Sequence, residues 1–273
     1  FVIGAALSVL LVCASLAQFG GLGGKIKEKL QKATETFTPW TPEEEQAIGD
    51  AAAAKMAAMF GFVDNEAANR YVNLVGAAVA QYASRQLPYR FAVLNTDIVG
   101  AWAIPGGFIF ISRGALASMT NEAELAGALG HELVHCSERH LEKEIRSKKT
   151  SAWAVEELHA TGKGQVVTTL KIDALVKDLF TTRLSRDKED QADEQGTVLA
   201  AQAGYSANGL MEFLGTLQGL AHDPANNRMF GQLLSTHPPF DARIAHLGPV
   251  VQRLGMGGQT LEERYRKTLV QEE

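Results

Sequence analysis

The sequence has little cysteine, no excess of basic residues and no internal repeat. Only two cysteines, Cys13 and Cys136, occur among 273 residues. If Cys13 is removed by processing, no intramolecular disulfide is possible, and the count says little about the compartment. The formal net charge of −5 offers no basic surface, so we expect no nucleic-acid partner. The 46% hydrophobic and 21% charged residues are typical of a globular protein with one core.

The longest apolar run is Phe1–Ala17, which carries no charge and is short for a membrane span. It is typical of the core of a signal peptide, and Ser15–Ala17 offers small residues for cleavage. No initiator Met precedes Phe1, so a charged leading segment would lie outside this sequence. We therefore expect the protein to be exported. A lipid anchor at Cys13, a retained anchor that keeps the protein near the membrane and a buried N-terminal helix are the alternatives.

The expected domain organisation is a signal peptide or anchor over residues 1–17, a flexible junction over 18–40 and a single domain over 41–273. Thr41, Pro42 and Glu44 form a capping box that predicts a helix to about Gly61. A second helix is predicted from Glu66 to about Arg85. Its periodicity places four residues on one face: Tyr71, Leu74, Val75 and Ala78.

Short β-rich segments follow, at Tyr89–Leu94 and Gly107–Ile111, with a turn signal at Ile104–Gly107. Asn121 with Glu124 predicts a further capped helix that runs to about Arg146. Later helices are predicted over Val166–Phe180, Asp187–Gln202 and Asn208–Gly219, with Gly204 as a C-terminal stop. The expected fold class is a helix-rich α+β domain with one small sheet.

One segment of the predicted Asn121 helix carries metal chemistry, since His131-Glu132-Leu133-Val134-His135 matches H-E-x-x-H. Residues four apart share a helix face, so two imidazoles can bind one metal ion. Glu132 lies one residue away and can reach a water at that metal as a general base. The surrounding residues are apolar, and unpaired histidines would be costly to bury there.

A catalytic zinc site usually has a third protein ligand and one open position. Glu189 and Asp193 are four apart in a predicted helix, so Glu189 can bind the metal while Asp193 orients a ligand histidine. From composition alone, a solvated acidic helix face explains the same residues, and this alternative stays open at this point.

Several short motifs, in order along the chain, resemble those of gluzincin metallopeptidases, the family of the CAAX prenyl endopeptidase, HtpX and their exported bacterial relatives. The motifs are Ala101–Gly107, Asn121–Ala126, His131–His135 with His140 downstream, Glu189–Asp193, Ala203–Tyr205, and Ser235–Pro239 followed by Arg243 and Ile244. After the N-terminal run no stretch approaches the length of a membrane span. We therefore expect the soluble exported type and not the multi-span type, and the resemblance implies the bacterial periplasm as its compartment.

The resemblance implies one Zn²⁺ per chain, bound by His131, His135 and Glu189, with Glu132 as the base. It places Asp193 behind a ligand histidine and gives Arg243 a supporting role. His237 matches the downstream histidine of the family, which either hydrogen-bonds the oxyanion or occupies the open zinc position in a latent state. It also implies a zincin-like domain with a substrate-binding edge strand, formed here by Ala101, Trp102, Ala103 and Ile104. Gly100 departs from the family, where Asn is common.

The expected function is that of a zinc metalloendopeptidase in envelope protein quality control, acting on unfolded or misassembled proteins. The alternative is a zinc-binding chaperone or assembly factor with latent or little proteolytic activity. Two imidazoles and a carboxylate also suit iron or cobalt. We interpret Cys136 as a packed thiol. His140 lies five residues past His135 and is poorly phased for the same metal, so we interpret it as supporting or structural.

Overall fold

The structure is a computed structural model that describes residues 39–147, 176–177, 184–226, 237, 239–255 and 257–269. The predicted signal peptide, most of the junction and nearly all of the predicted Val166–Phe180 helix lie outside these residues. Among the residues described, no helix has both the length and the apolar character that a membrane crossing requires.

The first two helices begin at the residues that the sequence predicts. α1 spans Pro42–Phe60, and both hydrogen bonds of the Thr41–Glu44 capping box are present. α2 spans Glu66–Ala80 and is capped by the Asn65 side chain. The predicted inner face of α2 is partly wrong, because Leu74 is 61% exposed. The helix instead turns Val72 and Val79 inward beside Val75.

A three-stranded sheet follows. β1 (Arg90–Leu94) pairs in parallel with β3 (Phe108–Ser112), and β2 (Ala101–Ile104) pairs with β3 in antiparallel register, which gives the order β1-β3-β2. The turn between β2 and β3 is the 3-10 segment Pro105–Gly107, whose glycines have φ of 80° and 92°. Only glycine adopts such a backbone at little cost. In the described part of the chain β2 is therefore an edge strand, as predicted.

The central element is α4, Glu122–Ser137, which follows the short helix α3 (Arg113–Ala117). All of its residues are buried. It packs against α2, β2 and the helices Arg186–Gln202 and Gly209–Ala221. The remaining helices are α5 (His140–Ser147), α6 (Arg186–Gln202), α7 (Gly209–Ala221), α8 (Phe240–Leu254) and α9 (Glu262–Leu269). A 3-10 turn covers Pro224–Asn226. One core cluster surrounds α4, and a second lies between α1 and the sheet. This arrangement confirms the helix-rich α+β class.

The predicted continuous helix to Arg146 is wrong at one point. α4 ends at Ser137, and α5 begins at His140 after Arg139, whose φ is +55°. Arg139 is held there by Glu45 at 2.8 Å and by the main-chain oxygen of Trp40 at 3.1 Å. A non-glycine residue in this region carries strain, so these long-range contacts stabilise the break.

α4 and α6 cross at a pair of glycines. A Cβ atom on Gly130 would lie 2.5 Å from the carbonyl oxygen of Gly196, and one on Gly196 would lie 2.5 Å from the amide nitrogen of His131. Both distances are far below van der Waals contact, so only glycine permits this approach. The crossing brings the acidic part of α6 against the H-E-x-x-H segment of α4.

Glu122, at the start of α4, lies at the centre of a buried polar cluster. Its carboxylate accepts hydrogen bonds from Tyr71, from Tyr205 at 2.7 Å and from Arg264. Burial acts to raise the pKa of Glu122, but the bonds from Arg264 and the two tyrosines outweigh it and hold this pKa below its usual value. The cluster thus ties α2, α4 and α9 together in a pH-dependent way.

We expect Glu122→Gln to lower the free energy of unfolding at neutral pH by about 2 kcal/mol, since charge-assisted bonds of this kind contribute that much. A depressed folded-state pKa stabilises the fold above the unfolded value of about 4.3 and loses this effect as pH falls through the folded value. The difference from wild type should therefore shrink in acid. Urea titrations from neutral pH to about pH 3 measure it. Glu262→Gln on α9, an exposed position, is the control, and a pH-independent difference contradicts the prediction.

Candidate metal centre

Two imidazoles from adjacent turns of α4 meet inside the protein. The Nε2 atoms of His131 and His135 lie 2.9 Å apart, and both side chains are buried. This follows from the four-residue spacing that the motif predicts. Two imidazole nitrogens that face each other at this distance, without a polar group between them, suit a shared cation.

The third candidate metal ligand, Glu189, lies on α6, which crosses α4 at Gly130 and Gly196. Glu189 is fully buried; its Oε1 lies 3.6 Å from Nε2 of His135, and its Oε2 lies 3.9 Å from Nε2 of His131. One donor atom from each of the three residues lies within 4.8 Å of the other two. Oε1 of Glu189 has no hydrogen-bond partner, which is costly for a buried carboxylate oxygen. The three residues therefore fit a divalent metal ion.

Asp193 lies behind His131, one helical turn beyond Glu189. Its Oδ1 accepts from Nδ1 of His131 at 2.8 Å, and Arg243 of α8 donates to both of its carboxylate oxygens at 2.8 and 2.5 Å. Burial acts to raise the pKa of Asp193, but Arg243 and His131 hold it well below its usual value. Asp193 therefore stays ionised, and it leaves Nε2 of His131 free to face the centre. Nη2 of Arg243 also lies 3.3 Å from Nδ1 of His131.

His135 has a different partner. Its Nδ1 lies 2.9 Å from Nδ1 of His140, and Nε2 of His140 lies 3.2 Å from the amide oxygen of Gln191 on α6. Burial and the nearby His131 hold the pKa of His135 well below its usual value, and burial lowers the pKa of His140 to about 4. Gln191 is not among the predicted site residues, because the two-residue step from Glu189 turns it off the helix face that Glu189 and Asp193 share.

Glu132 is buried beside this cluster but is not one of its three members. Burial raises its pKa, while His131, His237 and a hydrogen bond from the backbone of Ala103 act in the opposite direction. The carboxyl group thus contacts the edge strand through the backbone N–H of Ala103. A raised pKa suits a group that must accept and then release a proton near neutral pH.

His237 lies at the rim of the centre. Its Nδ1 is 2.6 Å from Oε2 of Glu189, and its ring centroid is 5.7 Å from that of His131. His237 is partly exposed, whereas His131, His135 and Glu189 are buried. With Nδ1 donating to Glu189, the neutral ring has only a lone pair at Nε2, so donation to an oxyanion from Nε2 requires the protonated ring.

The edge strand β2 lies next to the cluster of candidate metal ligands, and Gly100 immediately precedes this strand. Trp102 stacks on Phe60 with ring centroids 6.4 Å apart, and a Cβ atom on Gly100 would lie 2.9 Å from the Trp102 ring. The ring therefore occupies the space that an Asn side chain at this position would need. An apolar pocket opens beside Gly100, Glu132 and His131. His237 and Arg243 also line this pocket. Its other walls are mainly apolar and include Val99, Ala128, Leu210, Phe213, Leu214 and Leu217.

Cys136 is buried and faces away from the cluster, with its thiol 3.5 Å from the carbonyl oxygen of Ile104. Burial raises the pKa of this thiol to about 12. The thiol is thus a poor metal ligand and a poor nucleophile, in agreement with the interpretation of Cys136 as a packed side chain.

Comparison with known families gives a match over residues 66–250 to peptidase family M48. The chain belongs to peptidase family M48. The match spans every residue of the cluster and confirms the resemblance that the motifs indicated. Metalloprotease YcaL of Escherichia coli K12 is 29% identical over 161 residues, which are 59% of this chain and 61% of that protein.

Two other M48 relatives extend the comparison. The beta-barrel assembly-enhancing protease of E. coli K12 is 24% identical over 211 residues, 74% of this chain and 42% of that protein. The mitochondrial metalloendopeptidase OMA1 of Arabidopsis thaliana is 33% identical over 155 residues, 56% of this chain and 29% of that protein. The chain thus spans less than two thirds of the length of these relatives.

Proposed function

We propose that this M48 chain is a zinc-dependent endopeptidase that hydrolyses peptide bonds in unfolded or misassembled proteins. The observation that carries the proposal is the buried group of His131, His135 and Glu189, with an unpartnered carboxylate oxygen, directly beside the buried Glu132. A structural zinc site is usually closed by four Cys or His ligands, whereas three ligands with a carboxylate and an adjacent base are typical of a catalytic site.

The chemistry follows from these residues. A bound zinc ion supplies a Lewis acid for the scissile carbonyl and for water. Glu132 takes the proton of the attacking water and passes it to the leaving amine. Asp193, ionised by its contact with Arg243, holds the ring of His131 in place. His237 in its protonated form stabilises the developing oxyanion; with a free lone pair, the same ring suits a latent state.

The edge strand provides the binding surface for substrate. The outer side of β2 has no strand partner within the described residues. An extended peptide can therefore pair with the backbone of Ala101 and with the carbonyl oxygen of Ala103, whose N–H donates to Glu132. Such pairing gives affinity with little side-chain selectivity. This suits a protease for unfolded segments, since extended backbone is what such segments share.

We further propose a place of action in the bacterial envelope, reached through the N-terminal apolar run as an exported protein or as an anchored one. Support comes from the composition of residues 1–17 and from the name of one relative, a beta-barrel assembly-enhancing protease. That name also supports the alternative of an assembly factor or chaperone with little hydrolysis.

Cleavage of an unfolded test protein by the purified chain tests the proposed activity. We expect cleavage that stops on chelation and returns with Zn²⁺. Recovery with Fe²⁺ or Co²⁺ but not Zn²⁺ would contradict the choice of metal. A chain that holds one zinc ion, does not cleave and suppresses aggregation of the test protein would favour the chaperone alternative.

The apolar pocket beside Glu132 predicts a preference at the cleaved bond. We expect peptides with Leu or Phe next to the scissile bond to be cleaved roughly 10- to 100-fold faster, in kcat/KM, than the same peptides with Asp there. Most of the pocket walls are apolar, and the guanidinium of Arg243 that lines the pocket is already paired with Asp193. A peptide series that varies one residue at a time measures this, with changes at distant peptide positions as the control. Equal rates across the series would contradict it.

A further inference from the structure

His140 forms a buried link between His135 and α6. Its Nδ1 lies 2.9 Å from Nδ1 of His135, its Nε2 lies 3.2 Å from Oε1 of Gln191, and the residue is 1% exposed. These two contacts use both nitrogens of the His140 ring. The ring is thus constrained from two sides.

The partners decide where the protons lie. The amide oxygen of Gln191 only accepts, so Nε2 of His140 carries a proton and donates it. The neutral ring of His140 then has a lone pair at Nδ1, and the short contact there requires Nδ1 of His135 to be the donor. His135 is left with its lone pair on Nε2, the atom that faces His131 and Glu189.

We propose that His140 and Gln191 are positioning residues that hold His135 in the tautomer and orientation needed to bind the metal through Nε2. The inference rests on the proposed metal binding by His135 and extends it to two residues that do not touch the metal. It gives the two ligand histidines unlike supports: a carboxylate paired with Arg243 behind His131, and an uncharged histidine–amide pair behind His135.

The fold shows why this contact exists. On an unbroken helix, residues five apart lie about 140° apart around the axis, so His140 would not meet His135. The left-handed backbone of Arg139, with φ of +55°, ends α4 and brings the first residue of α5 back onto His135. Gln191 approaches from α6, the helix that also carries Glu189. The contacts of His140 with His135 and Gln191 therefore fix the position of His135 on α4 relative to α6, which carries Glu189.

The hydrogen bond between His140 and His135 affects metal affinity in a way that packing of the His140 side chain alone would not. A metal-bound histidine that donates its other ring proton is fixed in one tautomer, and loss of such a partner commonly weakens metal binding by about 10- to 100-fold. Asn in place of His140 puts a carbonyl oxygen where Nδ1 now accepts, while Leu fills space but accepts nothing. The two substitutions therefore separate hydrogen bonding from packing.

The experiment compares wild type with His140→Leu, His140→Asn and Gln191→Leu, with His222→Leu at the exposed end of α7 as the control. Zn²⁺ affinity is measured by competition with a chelator. ¹⁵N–¹H spectra of histidine-labelled protein report which ring nitrogen of each histidine binds the metal. We expect Nε2 coordination in wild type, a roughly 10- to 100-fold weaker affinity with altered His135 signals in His140→Leu, and recovery to within about 3-fold in His140→Asn.

Gln191→Leu leaves His140 in place and frees its tautomer, so we expect a smaller loss and two exchanging forms of His135. Unchanged affinity and Nε2 coordination in His140→Leu overturn the inference. Equal losses in the Leu and Asn variants also overturn it, since they indicate packing alone. If His140→Leu does not fold, unchanged signals in Gln191→Leu overturn it. A wild-type chain that binds no Zn²⁺ instead refutes the proposed function itself.

Discussion

Replacing Glu132 by Gln is expected to lower kcat/KM for a peptide substrate by roughly 10²- to 10⁴-fold, the usual contribution of a positioned general base, while the bound zinc is retained. The reason is geometric, since Glu132 lies beside the three-residue cluster but is not one of its members. The substitution keeps the size of the side chain and removes its basicity. Steady-state cleavage together with metal analysis of the same preparation measures both quantities.

The pH dependence provides a second measurement of the same role. Burial raises the pKa of Glu132, and the base acts only when ionised. Cleavage should therefore fall with decreasing pH at values above the ordinary glutamate pKa of about 4.3. Glu138→Gln, just past the end of α4, is the matched control and should leave cleavage unchanged. A Glu132→Gln protein that holds zinc and cleaves as well as wild type would refute the assignment.

Replacing Glu189 by Gln is expected to weaken Zn²⁺ binding by more than about 10²-fold, beyond the range seen for residues that only support a ligand. The carboxylate is fully buried, with one oxygen 3.6 Å from His135 and without a hydrogen-bond partner. An amide keeps the shape but removes the charge that a divalent cation needs there. Cleavage at limiting zinc should fall in parallel.

Glu194→Gln is the matched control for this experiment, because Glu194 lies on the same helix and pairs with Arg253 at the surface. It should bind zinc as tightly as wild type. Unchanged affinity in Glu189→Gln would remove Glu189 from the ligand set and leave its unpartnered oxygen without an explanation. A Glu189→Gln protein that is less stable but binds zinc normally when folded would also remove Glu189 from the ligand set.

Local signals predicted the local structure well. The Thr41–Glu44 capping box begins α1 as expected, and the glycines after Ile104 form the turn that ends the edge strand. The second predicted capping box is only half formed, because Asn121 caps Glu124 but the Glu124 carboxylate bonds to Thr120. Each of these features depends on hydrogen bonds among residues within five positions, which a short sequence specifies by itself.

The break at Arg139 is the clearest feature that the sequence did not predict. Glu138 and Arg139 are ordinary helix residues, and nothing beside them marks an end. The contacts that hold the break come from Trp40 and Glu45, nearly a hundred positions earlier in the chain. A local pattern cannot report contacts of this range, so the prediction continued the helix and left His140 as a supporting or structural residue without a named partner.

The sequence by itself determined the paired imidazoles and the adjacent base, because the four-residue spacing of His131 and His135 sets their common helix face. Motif order along the chain indicated Glu189, Asp193 and the family. The tertiary structure decided how these residues meet. The close approach of Gly130 and Gly196 brings Glu189 to the histidines, and the break at Arg139 brings His140 behind His135. The physical reason is that helical periodicity depends on neighbours in the chain, whereas the packing of helices depends on atoms that only the complete fold brings together.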